Sequence, residues 1–188
     1  MNRNQTAARF AAAAAALAIS LPAMAHPGHA GAADSFFAGL LHPLTGLDHL
    51  LAMLAAGVWS ARQQRGGREL LPAFLGMMLL GALSVVAGLR IPGLQTGIAA
   101  TVALSGCLLA AAVRMPSWAG AALLGLFAVL HGSAHGHELP QAASAAGFML
   151  ASALLLWTGR AIGKVSAGGV LRLAGAAIAA AGVALMAL

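Results

Sequence analysis

Apolar residues run along this chain in six blocks, at roughly 36–60, 70–89, 94–113, 118–138, 141–160 and 168–188, with short polar breaks between them. A helix rises 1.5 Å per residue, so about twenty residues match a hydrocarbon core some 30 Å thick. Each block therefore predicts a transmembrane helix, and residues 36–188 read as one all-α, six-span membrane domain. The breaks are short, which leads one to expect sequence neighbours packed antiparallel in a bundle. Ahead of the blocks, Arg3 and Arg9 precede an apolar run over 10–21, then Pro22 and Ala23-Met24-Ala25. That run is too short to span, and the small-x-small triplet is a cleavage pattern, so 1–25 reads as a cleaved signal peptide. Residues 26–35, with His26 and His29, become a periplasmic tail.

Composition removes the soluble alternatives. Apolar residues make up 61% of the chain and charged residues 7%, and a soluble surface needs several times more charge. The formal charge of +6 raises nucleic acid as a partner. The basic residues, however, lie in the breaks between spans. With the N-terminus outside, Arg62, Arg65, Arg68, Arg114, Arg160 and Lys164 all fall inside, Arg172 can snorkel there, and only Arg90 falls outside. This is the positive-inside pattern of a multi-pass inner-membrane protein with both termini periplasmic, so no nucleic-acid role is assigned. The single cysteine, Cys107, excludes an intramolecular disulfide, a Cys-based zinc site and an Fe–S cluster, and is expected to pack within the bundle.

Glycines recur through the spans (Gly76, Gly81, Gly88, Gly120, Gly125, Gly132, Gly136, Gly175 and Gly182), as helices that pack closely in lipid require. Two sets of three spans would allow an inverted repeat. The two polar motifs sit near opposite ends of spans one and four, so they are not equivalent under it.

Those motifs are His42-Pro-Leu-Thr-Gly-Leu-Asp48-His49 and His131-Gly-Ser-Ala-His135-Gly-His137-Glu138, and they hold five of the seven histidines and two of the four acidic residues. Ionisable groups at membrane depth are expensive and mark bundle interiors or polar pathways. On a regular helix His42 and His49 would share a face but stand about 10 Å apart, too far to bind one ion. Pro43 and Gly46 allow a broken turn that changes this distance. Asp48 is then either a ligand or an acceptor that fixes an imidazole tautomer. His131, His135 and Glu138 follow i, i+4, i+7 spacing in a stripe about 60° wide, with His137 off it. The expected arrangement is a ladder of ligands, with His42, His135 and Glu138 outermost and His49 and His131 deeper. Imidazole and carboxylate without thiolate suit Ni²⁺, Co²⁺, Zn²⁺ or Cu²⁺. Met53, Met77 and Met78 are assigned to packing rather than to Cu(I). His26 and His29 belong either to a metal-capturing tail or to a solvated linker.

The two motifs, with Leu50-Leu-Ala-Met-Leu after the first and Leu130 before the second, resemble the HupE/UreJ family of nickel and cobalt permeases. The leader and the His26-Pro27-Gly28-His29 start resemble it too; the family's usual Phe before the second motif is Leu130 here. The resemblance implies secondary uptake of Ni²⁺, in some members Co²⁺, to supply hydrogenase or urease. It carries metal-binding roles to His42, Asp48, His49, His131, His135 and Glu138, and less firmly to His26, His29 and His137. No permanently bound cofactor is implied; the metal ion is the substrate. Acid is expected to compete with metal for the imidazoles. No nucleotide-binding motif is present. Two other classes compete with uptake: a non-transporting metal sensor or maturation factor, and an intramembrane metalloenzyme. A maturation factor would be expected to carry a large soluble loop, which this chain lacks. A zincin would place Glu after His131, where Gly132 stands.

Overall fold

The computed structural model describes residues 35–136 and 141–187. The leader over 1–25, the tail with His26 and His29, and the pair His137 and Glu138 lie outside the described residues. Within them the chain is all-helical: α1 (Phe36–Thr45), α2 (Leu47–Ala61), α3 (Leu70–Val86), α4 (Leu94–Ala110), α5 (Ser117–His135), α6 (Ala142–Val165) and α7 (Gly168–Leu185). α5, α6 and α7 are each long and apolar enough to cross a membrane, and α1 with α2 qualifies as one broken span. α3 and α4 have 17 residues each and are shorter than the apolar blocks that contain them. α3 stops because Gly88 takes φ 93°, a region side chains disfavour, and the Leu89 N–H turns back to the Ser84 carbonyl at 2.9 Å.

The first span breaks where Pro43 and Gly46 mark it. Ser35 starts α1 by accepting from the Ala38 N–H at 3.1 Å, a serine N-cap. Pro43 lies within α1 and cannot supply the next helical N–H. Gly46 is extended (φ −81°, ψ 111°), and α2 leaves it bent by 80° from α1. A side chain at 46 would be crowded, since a Cβ there would stand 3.1 Å from Asp48 Oδ1.

Packing follows the glycines rather than the order of the chain. The closely packed pairs are α4 with α7, α3 with α5, and α6 with both α1 and α2, while α2 also leans on α4. Among the described residues α3 and α4, α5 and α6, and α6 and α7 make only marginal contact, although short loops join them. The expectation of packed sequence neighbours is thus corrected. In lipid, van der Waals contact between backbones selects partners, and small residues decide where backbones can meet. A Cβ on Gly132 would fall inside the Met78 carbonyl, one on Gly81 inside that of Val129, and one on Gly106 against Ala179. Gly76, within α3, differs, with open space around it. Cys107, expected inside, is exposed, because its neighbour Gly106 takes the α7-facing position.

The core holds Met53, Trp59, Phe74, Met78, Leu124 and Leu156, each almost fully buried, so the two interior methionines do pack. The outward faces carry Leu80, Val86, Leu126, Leu154 and Leu173, the last 75% exposed. Large aliphatic side chains all around a bundle are stable against hydrocarbon, not water. Basic residues collect at one end. Arg160 Nη1 donates to Ser60 Oγ at 3.2 Å, Arg62 Nη1 to the Gly163 carbonyl at 3.4 Å, and the Arg68 guanidinium lies over Trp157 at 5.9 Å. Arg65 and Arg114 line one cavity at that end. The Trp59 indole N–H donates to the Val113 carbonyl (3.0 Å) and the Met115 N–H to Gln63 Oε1 (3.0 Å), tying the end of α2 to the α4–α5 loop. His49, at the start of α2, lies eleven residues from Ser60, roughly 16 Å of helix.

Candidate metal site

The break at Gly46 decides the geometry at the other end of α2. Bent there, α1 carries His42 to one side of His135 and α2 carries His49 to another. Ring centroids are 4.7 Å apart for His42 and His135, and 4.3 Å for His49 and His135. His131, one helical turn before His135 on α5, meets His49 edge to face at 4.6 Å. Four imidazoles from three helices therefore follow one another in the order His42, His135, His49, His131. The first ring is the most exposed and the last the least: His42 is half-buried, His135 and His49 are 4% and 5% exposed, and His131 is fully enclosed.

His49 is held from behind. Asp48 opens α2, where an acid is favoured by the helix dipole, and its Oδ1 accepts from the His49 backbone N–H at 2.8 Å. The same oxygen lies 2.9 Å from His49 Nδ1. A carboxylate only accepts, so Nδ1 carries the proton and Nε2 of a neutral His49 is a lone pair. That Nε2 faces His135 Nε2 at 2.6 Å. Two nitrogens on one divalent ion at bond lengths of about 2.0–2.1 Å stand roughly 3 Å apart. A few tenths of an ångström of separation would thus admit an ion between the two rings. Phe148, on α6, lies against His135 at 4.3 Å and within 6.2 Å of His42 and His49, an apolar wall beside the cluster. A mostly apolar crevice bounded by Met78, Leu83, Gln141, Phe148 and Met149 opens onto His135.

Among the described residues no three His, Cys, Asp or Glu groups are placed to hold one metal ion together. The nitrogens are strung in sequence instead. His42, Asp48, His49, His131 and His135 come together, with Asp48 behind His49; Glu138, His137, His26 and His29 lie outside the described residues. Two participants were not among the sequence candidates. Thr101 on α4 has Oγ1 at 2.8 Å from His131 Nε2, and Phe148 packs on three of the rings. A hydroxyl in the middle of an apolar span was the signal for Thr101; nothing local marked Phe148. On α5, Ser133 Oγ donates to the Gly81 carbonyl at 3.2 Å, fastening the helix to α3 between the two histidines.

The family model described as HupE / UreJ protein matches residues 14–185 of this chain. The chain is also similar to Protein HupE of Rhizobium leguminosarum bv. viciae, with 39% identity over 179 residues that cover 90% of this chain and 93% of that one. No solved structure matches it.

Proposed function

Because the chain belongs to the HupE / UreJ family, we propose that it is a secondary transporter that takes up nickel, and also cobalt, across the inner membrane. The observation that carries this is the row of four imidazoles that runs from half-buried His42 to fully enclosed His131. In the proposed path an ion sheds water to His42 and His135, is shared with His49 through its Nε2, and passes on to His131. Conduction needs sites that bind well enough to strip water and weakly enough to release, and a string of one- and two-nitrogen stations meets that need better than a closed cage. Asp48 acts behind His49, holding its tautomer. Glu138 is assigned to the outer mouth, with His137, His26 and His29 as capture groups. Residues 1–25 are assigned as signal peptide, 26–35 as periplasmic tail and 36–188 as six crossings, with α3 and α4 as the shorter two and both termini periplasmic. The arginine-rich end is then cytoplasmic. The imported ion would serve hydrogenase or urease, and the chain itself is a carrier rather than an enzyme.

Purified protein in liposomes that enclose a Ni²⁺-chelating dye is expected to admit Ni²⁺ without nucleotide, and excess Co²⁺ to slow it. Influx no faster than in protein-free liposomes would contradict the proposal. In the same assay Asp48→Asn is expected to slow influx by about 10-fold, since the amide oxygen still accepts from Nδ1–H but the charge is gone. A loss as complete as that of His49→Ala would show that Asp48 binds the ion itself.

A further inference from the structure

Thr101 lies on α4, 2% exposed, on a different helix from either motif. Its Oγ1 stands 2.7 Å from the Ile98 carbonyl oxygen in its own helix and 2.8 Å from His131 Nε2. A carbonyl can only accept, so the single hydroxyl proton is committed to Ile98 and the oxygen meets His131 as an acceptor. His131 must then supply Nε2–H. A neutral imidazole has one N–H, which leaves His131 Nδ1 as a bare lone pair. That nitrogen is buried with no hydrogen-bond partner, an uncommon state for an interior polar atom. A group that donates electron density to a passing cation gives such an atom a use.

We infer that Thr101 is a positioning residue that makes His131 a ligand through Nδ1, while Asp48 makes its neighbour His49 a ligand through Nε2. The inference rests on the uptake reading for its purpose, though not for the tautomer. Metal-binding histidines are usually held through the nitrogen that does not bind, by a carboxylate, a carbonyl or water. Here a hydroxyl turned into a pure acceptor by Ile98 fills that role at the most buried ring. Successive rings, 4.6 Å apart, thus offer opposite nitrogens. Nδ1 lies next to the Cβ branch, so His131 draws the ion toward the α5 backbone.

The test uses the full-length, metal-free protein in micelles, with histidine ring nitrogens labelled with ¹⁵N. His131 is assigned by the signal lost in His131→Gln. The wild type should show His131 with Nε2 protonated and Nδ1 unprotonated. Thr101→Val, of matching shape, should mix or reverse the two, and Thr101→Ser should restore the wild-type pattern. Accumulation of ⁶³Ni²⁺ should fall by about 10-fold in Thr101→Val and stay within about twofold of wild type in Thr101→Ser. Wild-type His131 protonated on Nδ1, an unchanged tautomer in Thr101→Val, or equal loss in the two variants would each overturn the assignment. The expected tautomers in a protein that accumulates no nickel would support the role of Thr101 and overturn only the uptake reading.

Discussion

Gly132→Ala is expected to lower the thermal midpoint of the detergent-solubilised protein by about 5–10 °C, the equivalent of roughly 2–3 kcal/mol, and to abolish metal transport. The added Cβ would fall inside the Met78 carbonyl. Backbone cannot move aside as a side-chain tip can, so α3 and α5 must separate. Gly132 follows His131 and precedes Ser133, whose bond to the Gly81 carbonyl fastens the same two helices. Both consequences thus come from one displacement: lost contact between helices, and a shift of His131 against Thr101. Gly76→Ala is the control on α3. Nothing lies within 4 Å of a Cβ there, and alanine suits a helix better than glycine by about 1 kcal/mol. Its midpoint should stay or rise slightly. Equal falls in the two variants would mean that helix contact at Gly132 does not hold the bundle together.

His49→Ala is expected to reduce Ni²⁺ affinity and liposome influx by at least about 100-fold, more than the loss typical of a supporting residue. His49 is the ring that touches both His135 and His131, and without it the row has a gap. The substitution also strips Asp48 of its imidazole partner, so part of the effect is a carboxylate left with the backbone N–H of residue 49 but without the ring N–H. His42→Ala removes the outermost described member of the row, which meets His135, and should cost transport less. If His42→Ala were the more damaging, ions would be entering the row without using His49 as the link.

Much of the candidate histidine cluster is legible in the sequence. Histidines and an acid amid apolar residues stand out because burying them has no cheaper explanation than chemistry. The break in the first span was readable from Pro43 and Gly46, since one lacks the helical N–H and the other has no side chain to crowd the turn. The tautomer role of Asp48 was one of two readings left open, and only the 2.9 Å contact to Nδ1 favours it over direct binding. Thr101 and Phe148 were not found, because what makes them matter is contact with residues some thirty or more positions away or on another helix. Thr in an apolar span usually bonds back to its own helix, and Thr101 does so as well, to Ile98. The order of packing was misjudged for a related reason. Loop length limits where the next helix can go, whereas contacts such as Gly132 on Met78 and Gly106 on Ala179 decide where it stays.

Nickel accumulation in cells that lack their own nickel importer tests uptake through the histidine row most directly. Wild type, His49→Ala and His131→Ala would be expressed at matched membrane levels and supplied with ⁶³Ni²⁺. Accumulation well above vector for the wild type, and at vector level for both variants, is the predicted result. Accumulation that survives both substitutions would put the pathway elsewhere in the bundle, and none in the wild type would contradict uptake as the function.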